Sequence, residues 1–229
     1  MKRALTIVSL LVALQAFADA KEARRLQACA DVLHEAMGVK EQIPRDLIDK
    51  AECVAVIPGV KEGAFGFGGR FGYGAVSCRS EGGQGPWGPP LMLSLKGGSV
   101  GLQIGGQEAD LVLLIMNPKG IDYLLRSKFT LGADATVTAG PVGRNAEAAT
   151  DALMHAEILS YSRSRGVFAG VSLQGGTLKS DTDANFGVYG EEIPPRDLLT
   201  KSIHPVPKAA QAFIDALNKY SPRGSGWKS

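Results

Sequence analysis

Histidine and cysteine, from which most metal centres and many nucleophilic sites are built, occur only three times each in this 229-residue chain. His34, His155 and His204 stand far apart, and none lies at ligand spacing from another His or Cys. Cys29, Cys53 and Cys78 contain no C-x-x-C pair, which argues against zinc. Being odd in number, they permit at most one intramolecular disulfide and leave at least one free thiol, read as buried. No G-x-S-x-G elbow or Walker loop occurs, and Gly66-Phe67-Gly68-Gly69-Arg70-Phe71 places Phe71 where a dinucleotide fingerprint needs glycine. Asp181-Thr182-Asp183-Ala184-Asn185, with Glu192 twelfth, partly imitates a calcium loop. Phe186 occupies its sharp-turn glycine position, so an Asx-rich turn without metal is expected. The chain therefore reads as non-enzymatic, with no catalytic residue, metal or cofactor.

Excess charge is also missing. The formal net charge is +2, too small for nucleic-acid binding by bulk electrostatics. Only one long apolar run occurs, Ala4 to Ala18, preceded by Lys2 and Arg3 and followed by Ala18-Asp19-Ala20. A run of that length with an A-x-A end is the pattern of a cleavable export signal. Cleavage is expected after Ala20, giving a leader at 1–20, a folded domain at 21–220 and a flexible tail at 221–229. Export would take the protein out of the cytoplasm, with the mature chain soluble or peripheral on a membrane.

Glycine is plentiful, at 29 residues, and sixteen of them fall between Gly59 and Gly106. Phe65, Phe67, Phe71 and Tyr73 share one parity there, and Gly66, Gly68, Gly72 and Gly74 the other. This predicts a strand with an aromatic side and a nearly flat side, packed in a strongly curved sheet. Apolar runs Cys53–Ile57 and Leu111–Met116 predict buried strands. Alternation predicts strands over Leu91–Leu95 and Val100–Ile104, with Lys96-Gly97-Gly98 as the turn between them. Helical spacing of Leu26, Ala30, Leu33 and Met37, and of Ala210, Phe213, Ile214 and Leu217, predicts helices near both ends. Asn117-Pro118 starts another helix. The expected fold is one α+β domain: a strongly curved, barrel-like, mostly antiparallel sheet with flanking N- and C-terminal helices.

The most informative stretch runs from Gly140 to Gly176. A basic turn, Gly140-Pro141-Val142-Gly143-Arg144, precedes two strand-like runs joined at Arg163-Ser164-Arg165-Gly166, a predicted hairpin with arginines at its tip. Lys96, Arg144, Arg163 and Arg165 all fall at predicted turns beside glycine, where phosphate can approach the backbone. They are the candidate ligands for anionic headgroups. Trp87, in a Gly/Pro-rich loop, is a candidate interface residue. Phe65, Phe67, Phe71 and Tyr73 are candidates for membrane or acyl-chain contact.

Gly140-Pro141-Val142-Gly143-Arg144-Asn145-Ala146-Glu147 and Tyr161-Ser162-Arg163-Ser164-Arg165-Gly166-Val167-Phe168-Ala169-Gly170-Val171-Ser172-Leu173 closely resemble the SYLF domain. Gly105 to Asp110 and Asp183 to Gly190 extend the match to roughly residues 40–190. The resemblance implies a lipid-binding module. Eukaryotic members bind phosphoinositide membranes and, in yeast actin-patch proteins, actin filaments. Bacterial members are envelope proteins described as lipid-binding. An anionic phospholipid or membrane surface is thus the expected partner. A protein-interaction or structural envelope role and an acyl-chain carrier are the alternatives.

Overall fold

The computed structural model describes residues 2–39, 42–65, 67–100, 105–142, 156–164, 167–168, 175–201 and 203–222. Side chains are described from residue 20 onward, outside 64–67, 99–106 and 167–168. Among the described residues three α-helices lie before and within the sheet sequence: α1 (Lys2–Gly38), α2 (Arg45–Lys50) and α3 (Pro118–Leu124). Two follow it, α4 (Thr182–Tyr189) and α5 (Gln211–Tyr220). The strands are β1 (Cys53–Phe65), β2 (Phe67–Cys78), β3 (Leu91–Val100), β4 (Gly105–Ile115), β5 (Lys128–Thr130), β6 (Val137–Ala139), β7 (Ile158–Ser164), β8 (Val167–Phe168) and β9 (Gly176–Ser180). Among the described residues they form one curled sheet in the order β5-β9-β3-β2-β1-β4-β7-β6, with β8 beside β7. Every pairing is antiparallel except β6 with β7. The single α+β domain read from the sequence is the fold.

Strand β1 lies at the centre, and Cys53 to Ile57 are inaccessible to solvent. Alternation sends Val54 and Val56 to one face, under Leu26, Cys29 and Leu33 of α1 and Phe213 and Leu217 of α5. Ala55 and Ile57 point to the other, filled by Tyr123 and Leu124 of α3, Phe129, Leu178, Leu198 and Leu199. An apolar run without alternation is what a doubly covered strand requires. Strand β1 does not stop at Pro58-Gly59, as the sequence implies. A β-bulge there shifts its register against both neighbours, which accommodates a proline without a ladder N–H. Gly59 takes a φ of 53°, which glycine adopts without strain.

The flat side of β2 answers this bulge. A Cβ on Gly74 would stand 1.9 Å from the Val56 carbonyl oxygen and 2.8 Å from Ile57 Cα. Glycine is required because the neighbouring backbone occupies the side-chain position. Cys53 and Cys78, cross-strand partners in β1 and β2, are joined by a disulfide. Cys29 is the buried free thiol, donating to the Val56 carbonyl at 3.4 Å. Burial pushes its pKa up to about 12.

Three boundaries differ from the sequence reading. Lys96-Gly97-Gly98 is not a turn: β3 runs through it, paired with β2 and β9. The segment after Gly176, for which the sequence pattern predicts no strand or helix before the last one, holds β9 and α4, whose N-cap Asp181 accepts from the Ala184 N–H. Ser221, assigned to the tail, is buried. Arg79 Nη2 and Trp87 Nε1 each donate to its carbonyl oxygen at 2.9 Å. The Arg79 guanidinium stacks 4.2 Å above the Trp87 ring. At the Gly140 turn, a Cβ would enter the Tyr161 ring at 2.1 Å, so this motif glycine makes room for the motif tyrosine.

Two measurements check this packing. Gly74→Ala should cost about 3 kcal/mol or more in urea unfolding, at the severe end of overpacking. Gly69→Ala, whose Cβ would meet nothing within 4 Å, should stay within about 0.5 kcal/mol of the parent. Alkylation followed by mass spectrometry should modify no cysteine in the native protein, Cys29 alone after unfolding without reductant, and all three after reduction.

Candidate functional site

Residues directly opposite on neighbouring strands share a sheet face and lie close enough to act together. Register places Lys61 of β1 opposite Phe71 of β2, and Phe71 opposite Lys96 of β3. The adjoining row sets Tyr73 opposite Ser94, Ser94 opposite Lys179, and Lys179 opposite Lys128. Both rows belong to the face that carries α1, because the Arg25 guanidinium lies 5.0 Å from the Tyr73 ring centroid. Phe71 is 51% and Tyr73 44% exposed. Lys61, Lys96, Lys128 and Lys179 are all exposed, and none is ion-paired among the described residues. Two aromatic rings therefore stand on open sheet surface among four free ammonium groups. Glu108, opposite Lys61, supplies a carboxylate at the β4 end of the first row.

Beyond Phe71 the same face is bare. Gly106, Gly63, Gly69 and Gly98 form one row across β4, β1, β2 and β3, and a Cβ on Gly63 or Gly69 would meet nothing. Phe65 and Phe67 pair beyond it, with side chains outside the described residues.

The sequence candidates separate accordingly. Lys96, Phe71 and Tyr73 come together, although Lys96 acts from a strand and not from a turn. Lys61, Lys128 and Lys179 were missed. Lys61 was hidden because β1 seemed to end at Pro58-Gly59, and its face is set by the bulge. Arg163 does not sit at a hairpin tip. The hairpin exists, with Ser164 opposite Val167, but Arg163 precedes its turn, and its guanidinium binds Glu35 of α1. Its side chain is only 11% exposed, so it ties the sheet to the helix and is spent. Arg144 and Arg165 lie outside the described residues.

Trp87 is 3% exposed. Its ring packs under Arg79 and its indole N–H holds Ser221, so it cannot sit at headgroup level: the surrounding glycines and prolines fold the loop over it. Phe71 and Tyr73 point outward and line no interior chamber, while the opposite sheet face is filled by the second core. There Arg70, buried and bonded to Glu62 at 3.0 Å, borders a recess also lined by Gln107 and Ser162. It has room for about one water molecule. Among the described residues no group of three or more His, Cys, Asp or Glu could hold a metal ion.

Known proteins are similar in sequence to this chain. A family model described as "Ysc84: Las17-binding protein actin regulator" matches residues 96–220. An SH3 domain-containing protein of Schizosaccharomyces pombe is 34% identical over 80% of this chain and 43% of its own length. LAS seventeen-binding protein 3 of Saccharomyces cerevisiae is 31% identical over 85% of this chain and 42% of its own length. Human SH3 domain-containing YSC84-like protein 1 is 30% identical over 90% of this chain and 59% of its own length. The chain thus spans about half the length of these relatives. With the match running through β3, the Gly140 turn and the arginine hairpin to the last helix, the chain belongs to the Ysc84 family, the SYLF-domain family that its motifs resemble.

Proposed function

We propose that this chain is a non-enzymatic, exported lipid-binding module of a bacterial envelope, which contacts anionic phospholipid headgroups through the lysine–aromatic face of its sheet. The observation that carries this reading is the Lys61–Phe71–Lys96 row, with Tyr73, Lys128 and Lys179 beside it. A basic group near an anionic bilayer contributes about 1 kcal/mol, so four acting together provide about 4 kcal/mol before the rings insert at the interface. The leader pattern and the Cys53–Cys78 disulfide both favour an oxidising compartment outside the cytoplasm.

A protein-binding role, as in the names of the yeast relatives, is the second reading. The bare glycine row favours it, because a partner's backbone can approach a strip without side chains closely.

Sedimentation with vesicles of mixed neutral and anionic phospholipid separates the two. The parent should bind at low salt, release as ionic strength rises through the screening range, and ignore purely neutral vesicles. Lys61→Ala with Lys96→Ala should weaken binding by about 2 kcal/mol, roughly thirtyfold. Arg163→Ala should retain binding while lowering the melting temperature. Loss of binding in Arg163→Ala but not in the lysine pair would refute the assigned face. Salt-independent retention of a specific protein, with no vesicle binding, would favour the second reading.

A further inference from the structure

Glu22 lies where α1 meets α4 and is buried, at 4% exposure. A Cβ on Gly187 of α4 would stand 3.3 Å from its Cγ. Arg25 Nε lies 3.3 Å from Glu22 Oε2, and Lys21 Nζ lies 3.6 Å from Oε1. Arg25 Nη1 donates to Asp181 Oδ2 at 2.8 Å and its guanidinium stacks on Tyr73. Even so, among the described residues Glu22 Oε2 accepts no hydrogen bond. A buried carboxylate oxygen in that state is costly. One residue away the situation reverses: Ala20 and Lys21 are exposed, immediately after the Ala18-Asp19-Ala20 pattern.

Cutting the chain between them changes the local chemistry. Within α1, backbone N–H groups bond to carbonyls four residues back. Removing residues 1–20 deprives those of residues 21–24 of their acceptors. It also turns the Lys21 nitrogen from an amide into an ammonium and makes Glu22 an acidic residue in a first helical turn, where the helix dipole favours it.

We infer that hydrolysis of the Ala20–Lys21 bond completes this end of the fold: the α-ammonium created at Lys21 becomes the hydrogen-bond partner of Glu22 Oε2, on the side chain that packs against Gly187 of α4. The step adds one water across the amide, leaving a carboxylate on Ala20 and an ammonium on Lys21, and is catalysed by a processing peptidase for exported proteins. It rests on the export reading above, and it assigns that processing a structural role in addition to the removal of a leader.

The full chain is expressed in an exporting host, with Glu22→Gln as one variant. Ala18→Leu with Ala20→Leu blocks processing, with and without Glu22→Gln. Glu22→Gln should lower the melting temperature of the processed chain by about 2–4 °C more than that of the unprocessed chain, which loses only the ion pairs with the Arg25 and Lys21 side chains. The Lys21 α-amine, titrated by its acylation rate, should have a pKa above the ordinary value of about 7.7–8.0, returning to it in Glu22→Gln. Equal loss of stability in both backgrounds, or an unshifted α-amine, overturns the pairing while leaving export intact. A processed product that does not begin at Lys21 overturns both.

Discussion

The close passage of β1 over β2 is the constraint on which the rest depends. Strand β1 is covered on both faces, so its backbone bonds must be made within the sheet and its side chains must fill two cores at once. Pro58 interrupts that arrangement, and the bulge at Pro58-Gly59 is the local solution. The bulged backbone then lies where a side chain on Gly74 would be, which dictates glycine on that side of β2. Curvature, glycine content and the proline are one feature seen three ways.

The same bulge creates the candidate site. A one-residue register change exchanges the two faces of a strand. Past Pro58-Gly59, Val60 joins the core that Ile57 serves, and Lys61 emerges on the α1 face beside Phe71. Without it Lys61 would point into the second core. The lysine–aromatic surface is thus a consequence of how the sheet bends.

The family's arginine hairpin contributes differently. Arg163 binds Glu35, while Asp110, opposite Arg163 on β4, accepts from the Gly59 N–H at 2.9 Å. The hairpin end of β7, the bulge and α1 are therefore fastened at one place. A second fastening, Arg79 with Trp87 and Ser221, holds the end of α5 over the same core. Burial lowers the pKa of Arg79 and raises that of nearby Glu52, the direction in which desolvation drives each group.

Local pattern in the sequence determined the fold class, the central buried strands, the helices carrying Leu26 and Phe213, the Asn117 cap and the arginine hairpin. Each reflects a period, a cap or a turn residue whose physics operates within a few positions. Tertiary structure alone decided that β1 and β3 continue through Pro58-Gly59 and Lys96-Gly97-Gly98, because cross-strand pairing outweighs local turn preference. It also decided which basic and aromatic groups are free. Trp87 and Arg163 have the composition of surface ligands, yet Ser221 and Glu35, both more than a hundred residues away, engage them. Lys61 and Lys179 have no motif, and only the register that brings four strands together sets them around Phe71 and Tyr73.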